Sequence, residues 1–202
     1  MLKVIKTADF RRMPWKNGAG ETIEIAVSPP NADWGNFEWR VSMAQVTQSG
    51  PFSVFPEVDR TLLVLSGGQL TLTANKTPKP ISLQPGSAPY AFKGEDNIHA
   101  LLSGEPVLDF NVMTHRQRYR HSVKRHSLVG SERLESPGNC LLILVLSGGL
   151  SVECEASSTR VARMEALLSD QPVRVSAAQP SELIVVSLVA AATPLKASDH
   201  VG

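Results

Sequence analysis

The chain has 202 residues and a net charge of +1, with 42% hydrophobic and 19% charged residues, a composition typical of a soluble globular protein. This small net charge excludes a protein whose whole surface attracts nucleic acid or an acidic membrane. No apolar run reaches the length of a membrane span, and the N-terminus lacks the apolar core of a signal peptide. We therefore expect a cytoplasmic protein that does not bind membranes.

Residues 14–24 hold the densest group of reactive side chains in the sequence. Two of them, Lys16 and Asn17, precede a Gly-Ala-Gly segment, and glycine permits a tight turn or a close approach of the backbone to a ligand. After this segment the sequence alternates, which predicts a strand with Thr22 and Glu24 on one face. The loop and the strand are predicted to form one wall of a polar site.

Two later segments repeat this alternation. The first predicts a strand with Arg40 and Ser42 on one face, and the second a strand with Asp109, Asn111 and Met113 on one face. Polar faces of antiparallel sheets commonly contact water. A mixture of guanidinium, hydroxyl, amide and carboxylate groups is also typical of the converging polar groups in a ligand pocket. The pattern leaves both interpretations open.

Two stretches, residues 62–72 and 143–152, resemble each other: each is an apolar run, a Ser-Gly-Gly turn and an alternating run. The pattern predicts a hairpin in each copy, and the spacing of about eighty residues predicts two similar β units. Glycine and proline, 14 of each, mark many short turns and favour a sandwich or barrel. Residues 158–168 fit either a short helix or a strand with its flanking turns.

A basic stretch over residues 115–138 separates the two units. We predict a first unit over residues 1–117, which carries the polar faces, and a structural second unit over residues 118–202 with an apolar core. A nucleic-acid interface on the basic stretch is the less favoured alternative, because no run of aromatic residues for base stacking accompanies the charges. Both cysteines, Cys140 and Cys154, are expected to be half-buried and reduced.

Two tandem β units resemble the double-stranded β-helix, or cupin, architecture. Metal-binding cupins hold their ion with histidines and a glutamate, because divalent transition metals need such clustered ligands. In this sequence the corresponding positions fall on Ser53, Phe55, Arg60 and Pro89. The resemblance therefore implies a cupin scaffold without a metal or other cofactor.

Several motifs, in order, resemble those of one family. Between Pro14 and Arg116 they read Trp-Lys-Asn-Gly-x-Gly-x-Thr-x-Glu, Trp-Arg-x-Ser-x-Ala, Gly-Pro-Phe-Ser-x-Phe, Asp-Arg and Asp-Phe-Asn-Val-Met. The chain resembles the HutD/Ves family of cupin proteins, which implies an all-β bicupin fold. The resemblance also implies a link, in many bacterial relatives, to histidine utilisation, with sensing of an intermediate such as formiminoglutamate. Glu57 departs from the family pattern, which has glycine at this position.

The predicted ligand site gathers the polar side chains of these segments with one methionine. Its members are Lys16, Asn17, Thr22, Glu24, Arg40, Ser42, Arg60, Asn111 and Met113. Arg40 is the first candidate for binding an anion, because its planar guanidinium can hold both oxygens of a carboxylate. An ion pair of Arg40 with Glu24 or Asp59 on a neighbouring strand is the structural alternative.

The remaining members are assigned by their chemistry. Lys16 is a candidate for a second carboxylate, with a solvent-facing loop position as the alternative. Asn17 and Asn111 suit an amide or formimino group because each offers a donor and an acceptor, although Asn17 also suits a simple turn. Arg60 is expected to face the interior, at a position where a metal cupin keeps a ligand.

These residues favour a small-molecule-binding protein that senses or buffers an amino-acid-derived anion. The alternative is a metal-free isomerase or hydrolase acting on a small carboxylate, with Glu24 as general base and Lys16 or Arg40 as its electrostatic partner. A third interpretation is an interaction module with a vestigial pocket. The motif segments contain no Ser-His or Cys-His pair of nucleophile and base, which favours binding over catalysis. A small anionic metabolite is the expected partner, and a homodimer is left open.

Overall fold

The described part of the chain is built from β-strands and one short 3-10 turn, Thr7–Asp9. The structure, a computed structural model, describes residues 1–74, 77–135, 138, 140–154 and 157–192. Within these residues no helix is long and apolar enough to cross a membrane. The prediction of an all-β fold is therefore confirmed.

The first eleven strands occupy the N-terminal half of the chain. They are β1 (Leu2–Ile5), β2 (Arg11–Pro14), β3 (Gly20–Ser28), β4 (Trp39–Val46), β5 (Gly50–Pro51), β6 (Val58–Ser66), β7 (Gln69–Ala74), β8 (Thr77–Leu83), β9 (Tyr90–Lys93), β10 (Ile98–Ser103) and β11 (Val107–His115). Ten of them form two antiparallel sheets, one in the order β2-β3-β4-β11-β6-β9 and one in the order β5-β10-β7-β8. The two sheets share an apolar core to which β6 contributes Leu62 and Val64 and β7 contributes Leu70 and Leu72.

The last six strands form a seven-stranded sheet together with β1. They are β12 (Tyr119–Leu134), β13 (Cys140–Ser147), β14 (Leu150–Cys154), β15 (Ser157–Val161), β16 (Ala166–Ser169) and β17 (Val173–Ala190). The order is β1-β16-β13-β17-β14-β15, and β12 pairs with β17. Strands β15 and β16 occupy the segment over 158–168, so the strand interpretation of that segment is correct. The predicted unit boundary after residue 117 stays a prediction, although β1 at the N-terminus lies in the sheet of the second unit.

The nearly continuous apolar runs of the second unit bury both faces of their strands. On β13, Leu141 and Ile143 point into the core of the second unit. The intervening Leu142 and Leu144 pack against the six-stranded sheet of the first unit, where they meet residues such as Val112. Because successive side chains of a strand point to opposite faces, a strand buried on both sides has to be apolar throughout. This packing joins the two units through one shared core layer.

The two Ser-Gly-Gly segments connect strands that are not neighbours, so the predicted hairpins are wrong. In the first copy, β6 lies in the six-stranded sheet and β7 in the four-stranded sheet; in the second, β17 lies between β13 and β14. Gly67 has a φ of 94°, a backbone conformation that favours glycine. A Cβ at Gly68 would collide with the backbone of residues 103–105. The first Ser-Gly-Gly segment therefore carries the chain from one sheet to another, and the second carries it past β17 within one sheet.

Cys140 at the start of β13 is half-buried, as predicted. Burial raises the pKa of its thiol to about 11. The thiol is therefore protonated at neutral pH, and the reactive form of cysteine is the thiolate. The side chain of Cys154 lies outside the described part of the structure.

Candidate functional site

A cavity of about 810 Å³ lies in the first unit, lined by both of its sheets and by the loops around residues 14–19 and 48–55. Cross-strand pairing builds its polar wall: Glu24 lies opposite Ser42, Ser42 opposite Asn111, and Met113 opposite Arg60. The polar faces predicted for three separate strands therefore belong to the same side of one sheet. The volume falls in the range of small-molecule sites, roughly 300–1,000 Å³.

Most of the predicted ligand residues line this cavity. They are Lys16, Asn17, Thr22, Ser42, Arg60, Asn111 and Met113. Glu24 and Arg40 lie outside the lining and are buried in the wall. The structure thus brings seven of the nine predicted residues to one cavity and places the other two, as a pair, behind it.

Arg40 is only 1% exposed and forms an ion pair with Glu24, with 2.5 Å between Arg40 Nη2 and Glu24 Oε2. Its guanidinium lies 3.6 Å from the centre of the Trp34 ring and 3.7 Å from the Met13 sulfur. Burial lowers the pKa of Arg40, with the attraction of Glu24 opposing this effect and Arg11 adding to it. Trp34 and Met13 both line the cavity, so these two side chains separate Arg40 from the space where a ligand would bind.

This pairing matches the structural alternative considered for Arg40. The other candidate partner, Asp59, instead accepts a hydrogen bond of 2.9 Å from Arg116. Arg40 Nε and Nη1 have no hydrogen-bond partner among the described residues. The assignment of Arg40 as an anion contact stays a prediction, and it requires Trp34 or Met13 to move.

Arg60 is the buried cation that lines the cavity. It is 6% exposed, and its Nη1 donates a hydrogen bond of 3.3 Å to the Ser53 carbonyl. Its guanidinium carbon lies 4.9–5.6 Å from the ring centres of Phe92, Phe52 and Phe55, which is a favourable cation–π distance. Burial lowers the pKa of Arg60 to about 10, with the attraction of Asp109 opposing this effect. Arg60 is therefore still positively charged at neutral pH.

These residues do not fit the divalent metal that many cupins bind. Among the described residues, no three His, Cys, Asp or Glu side chains lie close enough together to hold an ion; His200 lies outside that part of the chain. The Arg60 guanidinium lines the cavity, so its positive charge would repel a metal cation bound there. The absence of a metal from the protein in solution stays a prediction.

Asp109 lines the cavity but was not among the predicted ligand residues. It is 3% exposed, and its Oδ1 has no hydrogen-bond partner among the described residues. Burial raises the pKa of Asp109 to about 7, with Arg60 and a hydrogen bond from the Ala44 backbone opposing this effect. Because Asp109 and Asn111 are two residues apart on one strand, the sequence predicts that they share a face. The burial of Asp109, however, depends on packing that the local sequence does not reveal.

Aromatic side chains from irregular segments cover the cavity. Trp34, Phe52 and Phe55 all line it, and the rings of Trp34 and Phe55 lie 5.4 Å apart. These residues were also missed, because they lie outside the strands and follow no periodic pattern. Trp34 is nevertheless 47% exposed, which places it at the boundary between the cavity and solvent.

The glycine-containing loop forms a defined turn at the edge of the cavity. Asn17 Oδ1 accepts a hydrogen bond of 3.1 Å from the Ala19 backbone, so the turn role of Asn17 is observed. Trp15 Nε1 donates a hydrogen bond of 2.9 Å to Thr22 Oγ1 and thereby ties the loop to β3. A Cβ on Gly20 would collide with the Gln45 carbonyl. These contacts hold the backbone of the loop in one conformation and place Lys16 and Asn17 at the cavity.

Comparison with protein families gives a match of residues 7–185 to the family described as HutD. The chain is 41% identical to protein Ves of Cronobacter sakazakii over 57% of this chain and 64% of the relative. It is 35% identical to a 21.2 kDa protein in the hutC 3′ region of Pseudomonas putida, over 75% of this chain and 77% of the relative. The chain thus covers slightly less than two thirds of the Cronobacter protein.

Solved structures show the same architecture. A conserved protein of Pseudomonas aeruginosa PAO1 has a TM-score of 0.85 and 28% identity over 94% of this chain and 99% of its own. HutD from Pseudomonas fluorescens SBW25 has a TM-score of 0.79 and 26% identity over 95% of this chain and 100% of its own. A bacterial pirin from Escherichia coli, solved with nickel(II), has a TM-score of 0.68 at 11% identity over 95% of this chain and 100% of its own. The pirin similarity shows the fold alone, and the predicted bicupin fold is confirmed.

Proposed function

Because this chain belongs to the HutD family, we propose that it binds a small amino-acid-derived anion in the cavity of its first unit, as a sensor or buffer. One observation carries the proposal: Arg60 Nε, Asp109 Oδ1 and Asn111 Oδ1 are buried, belong to residues that line the cavity, and have no partner among the described residues. A buried polar group left unpaired costs about 1–3 kcal/mol. A ligand that supplies partners for these atoms would remove that cost.

The three side chains favour a ligand with two kinds of polar group. Arg60 is a cationic donor, which suits a carboxylate, and Asn111 Oδ1 is an acceptor, which suits an amide or amidine N–H. Lys16 also lines the cavity, which supports it as the contact for a second carboxylate. Trp15 and Trp34 provide apolar surface for the carbon chain.

Histidine degradation supplies a molecule of this description. The Pseudomonas putida relative lies in the hutC 3′ region, and the family name links these proteins to histidine utilisation. Formiminoglutamate carries two carboxylates and a formimino group. It is therefore our first candidate ligand, and glutamate and urocanate are its closest chemical comparisons.

Isothermal titration calorimetry with these three acids tests the proposal. We expect at least one of them to bind the wild type, and Arg60→Gln to weaken that binding about tenfold to a hundredfold or more, because a charge-assisted hydrogen bond contributes about 1.5–3 kcal/mol. Arg118→Gln is the matched control, since Arg118 is exposed and pairs with Glu38 at 3.2 Å on the surface. The Arg118→Gln variant should bind the same acid with the affinity of the wild type.

Two results would contradict the proposal. One is the absence of binding by all three acids to a folded wild-type protein. The other is equal affinity of the wild type and Arg60→Gln, with melting temperatures that show both to be folded. A turnover assay on the same acids separates binding from the enzymatic alternative, in which Glu24 would act as base despite its contact with Arg40.

A further inference from the structure

Asp109 is a buried carboxyl group inside a cavity that we expect to receive an anion. It lies on β11 two residues before Asn111, on the same face, and only 3% of it is exposed. Its Oδ1 has no hydrogen-bond partner among the described residues. A buried carboxylate is costly unless it is paired, and burial accordingly raises the pKa of Asp109 to about 7.

The charges around Asp109 come from three neighbouring strands and one loop. Arg60 on β6 favours the ionised carboxylate, and Lys16 is the other cation among the lining residues. Behind the lining, Glu24 on β3 and Arg40 on β4 form an ion pair whose opposite charges offset each other. The four-stranded sheet contributes only uncharged residues to the lining. Arg60 is therefore the main support of an ionised Asp109.

An anion bound to Arg60 would remove that support. The ligand carboxylate would offset the charge of Arg60 and would bring a second negative charge close to Asp109. Two carboxylates that share a poorly solvated site do not both ionise readily, so one of them takes up a proton. Asp109 is almost fully buried, whereas the ligand carboxylate would have the Arg60 guanidinium as its direct partner.

We infer that the cavity takes up about one proton with each anionic ligand that it binds, and that Asp109 holds this proton. The inference rests on the proposed function and adds to it the ionisation state of the site. The proton moves from solvent onto the Asp109 carboxylate, and no bond of the ligand breaks. The resulting O–H donates a hydrogen bond, so the favoured ligands carry an acceptor oxygen or imine nitrogen beside the carboxylate.

Calorimetry in two buffers of different ionisation enthalpy, phosphate and Tris, measures this proton uptake directly. With formiminoglutamate or glutamate at pH 8, we expect uptake close to one proton per ligand. Above pH 7 the wild-type affinity should weaken by up to about tenfold per pH unit. The Asp109→Asn variant should bind the same acids without proton uptake, and its affinity should be nearly independent of pH. Asp59→Asn is the matched control, because Asp59 pairs with Arg116, and it should behave as the wild type.

The possible failures are distinguishable. Binding to the wild type without proton uptake, or with uptake that persists in Asp109→Asn, would overturn the inference and leave the proposed function standing. Failure of every acid to bind would refute both. Carboxyl ¹³C NMR of the unliganded protein gives a separate test, with Asp109→Asn to assign the resonance. Titration of Asp109 near pH 7 supports the inference, and titration below pH 5 would overturn it.

Discussion

Replacement of His121 should remove much of the sensitivity of this protein to mild acid. His121 on β12 joins the two units: its Nε2 lies 2.8 Å from Thr61 Oγ1 and its Nδ1 lies 2.7 Å from Thr114 Oγ1. Burial lowers the pKa of His121 to about 4, with the attraction of Asp59 opposing this effect. The imidazole is therefore neutral in the folded protein at pH 5, where a histidine in the unfolded chain is charged.

The sign and size of the effect follow from this difference. The ordinary pKa of histidine is 6.5, so between pH 6.5 and pH 4 the unfolded chain binds more protons than the folded protein. The stability associated with neutral His121 is then fully present above pH 6.5 and is lost as the pH falls toward 4. The whole shift corresponds to about 3 kcal/mol, of which about 2 kcal/mol falls between pH 7 and pH 5.

Urea unfolding at pH 7 and pH 5 measures this loss. The control is His99→Asn, which changes an exposed histidine on β10. On acidification, the free energy of unfolding should fall by about 2 kcal/mol more in the wild type and in this control than in His121→Asn. Replacement of His121 also breaks its hydrogen bonds, but that cost is present at both pH values. The contribution of Asp109 is shared by all three proteins and cancels. Equal losses in all three proteins would refute the assignment to His121.

Three further outcomes test other parts of the structure. Arg40→Met should reduce the free energy of unfolding by about 3–5 kcal/mol because it leaves Glu24 buried without its partner. Addition of Glu24→Gln to this variant should recover part of the lost free energy. Unchanged stability together with lost ligand affinity would contradict this structural role of Arg40. Glu57→Gly should raise stability by about 1 kcal/mol in urea unfolding, because Glu57 has a φ of 61°, whereas Glu57→Ala should not; equal stability of wild type and Glu57→Gly would argue against strain. Elemental analysis of untagged protein should find no stoichiometric Zn, Fe, Mn or Ni, and one equivalent that supports stability would overturn the metal-free interpretation.

The polar faces of the three strands could be predicted from alternation, whereas the choice between a pocket and a solvent-facing sheet could not. Thr22, Ser42 and Asn111 lie on three strands that are far apart in sequence, yet all three line one cavity. The period of two residues is a local property of an extended strand, so each face can be assigned without knowledge of its neighbours. Glycine at the position of Glu57 was likewise expected from the family pattern, and the left-handed backbone there explains that preference.

The choice between the two arginines could not be predicted, because it depends on tertiary contacts. Arg40 and Arg60 both face the polar side of the sheet. Trp34, from the irregular segment between β3 and β4, covers Arg40 and leaves Arg60 to line the cavity. The burial of Asp109 likewise depends on tertiary packing. No local pattern contains this information.

The Ser-Gly-Gly connections illustrate the same limit for the fold. A glycine turn between two apolar strands is the local signature of a hairpin. In this fold the strand that follows Gly68 joins the opposite sheet, and β17 separates the corresponding strands of the second unit. Which strands pair is decided by long-range hydrogen bonding, so the turn sequence correctly predicts a turn and incorrectly predicts its partners.

A crystal structure of the protein with the tightest-binding of the three acids would show directly whether the cavity of the first unit binds such an anion. We predict that the acid occupies the cavity of the first unit, with a carboxylate oxygen within hydrogen-bond distance of Arg60 Nε and an N–H group directed at Asn111 Oδ1. The Asp109 carboxyl group should lie within hydrogen-bond distance of a ligand acceptor. An acid bound outside this cavity, or bound inside it without contact to Arg60, would contradict the account.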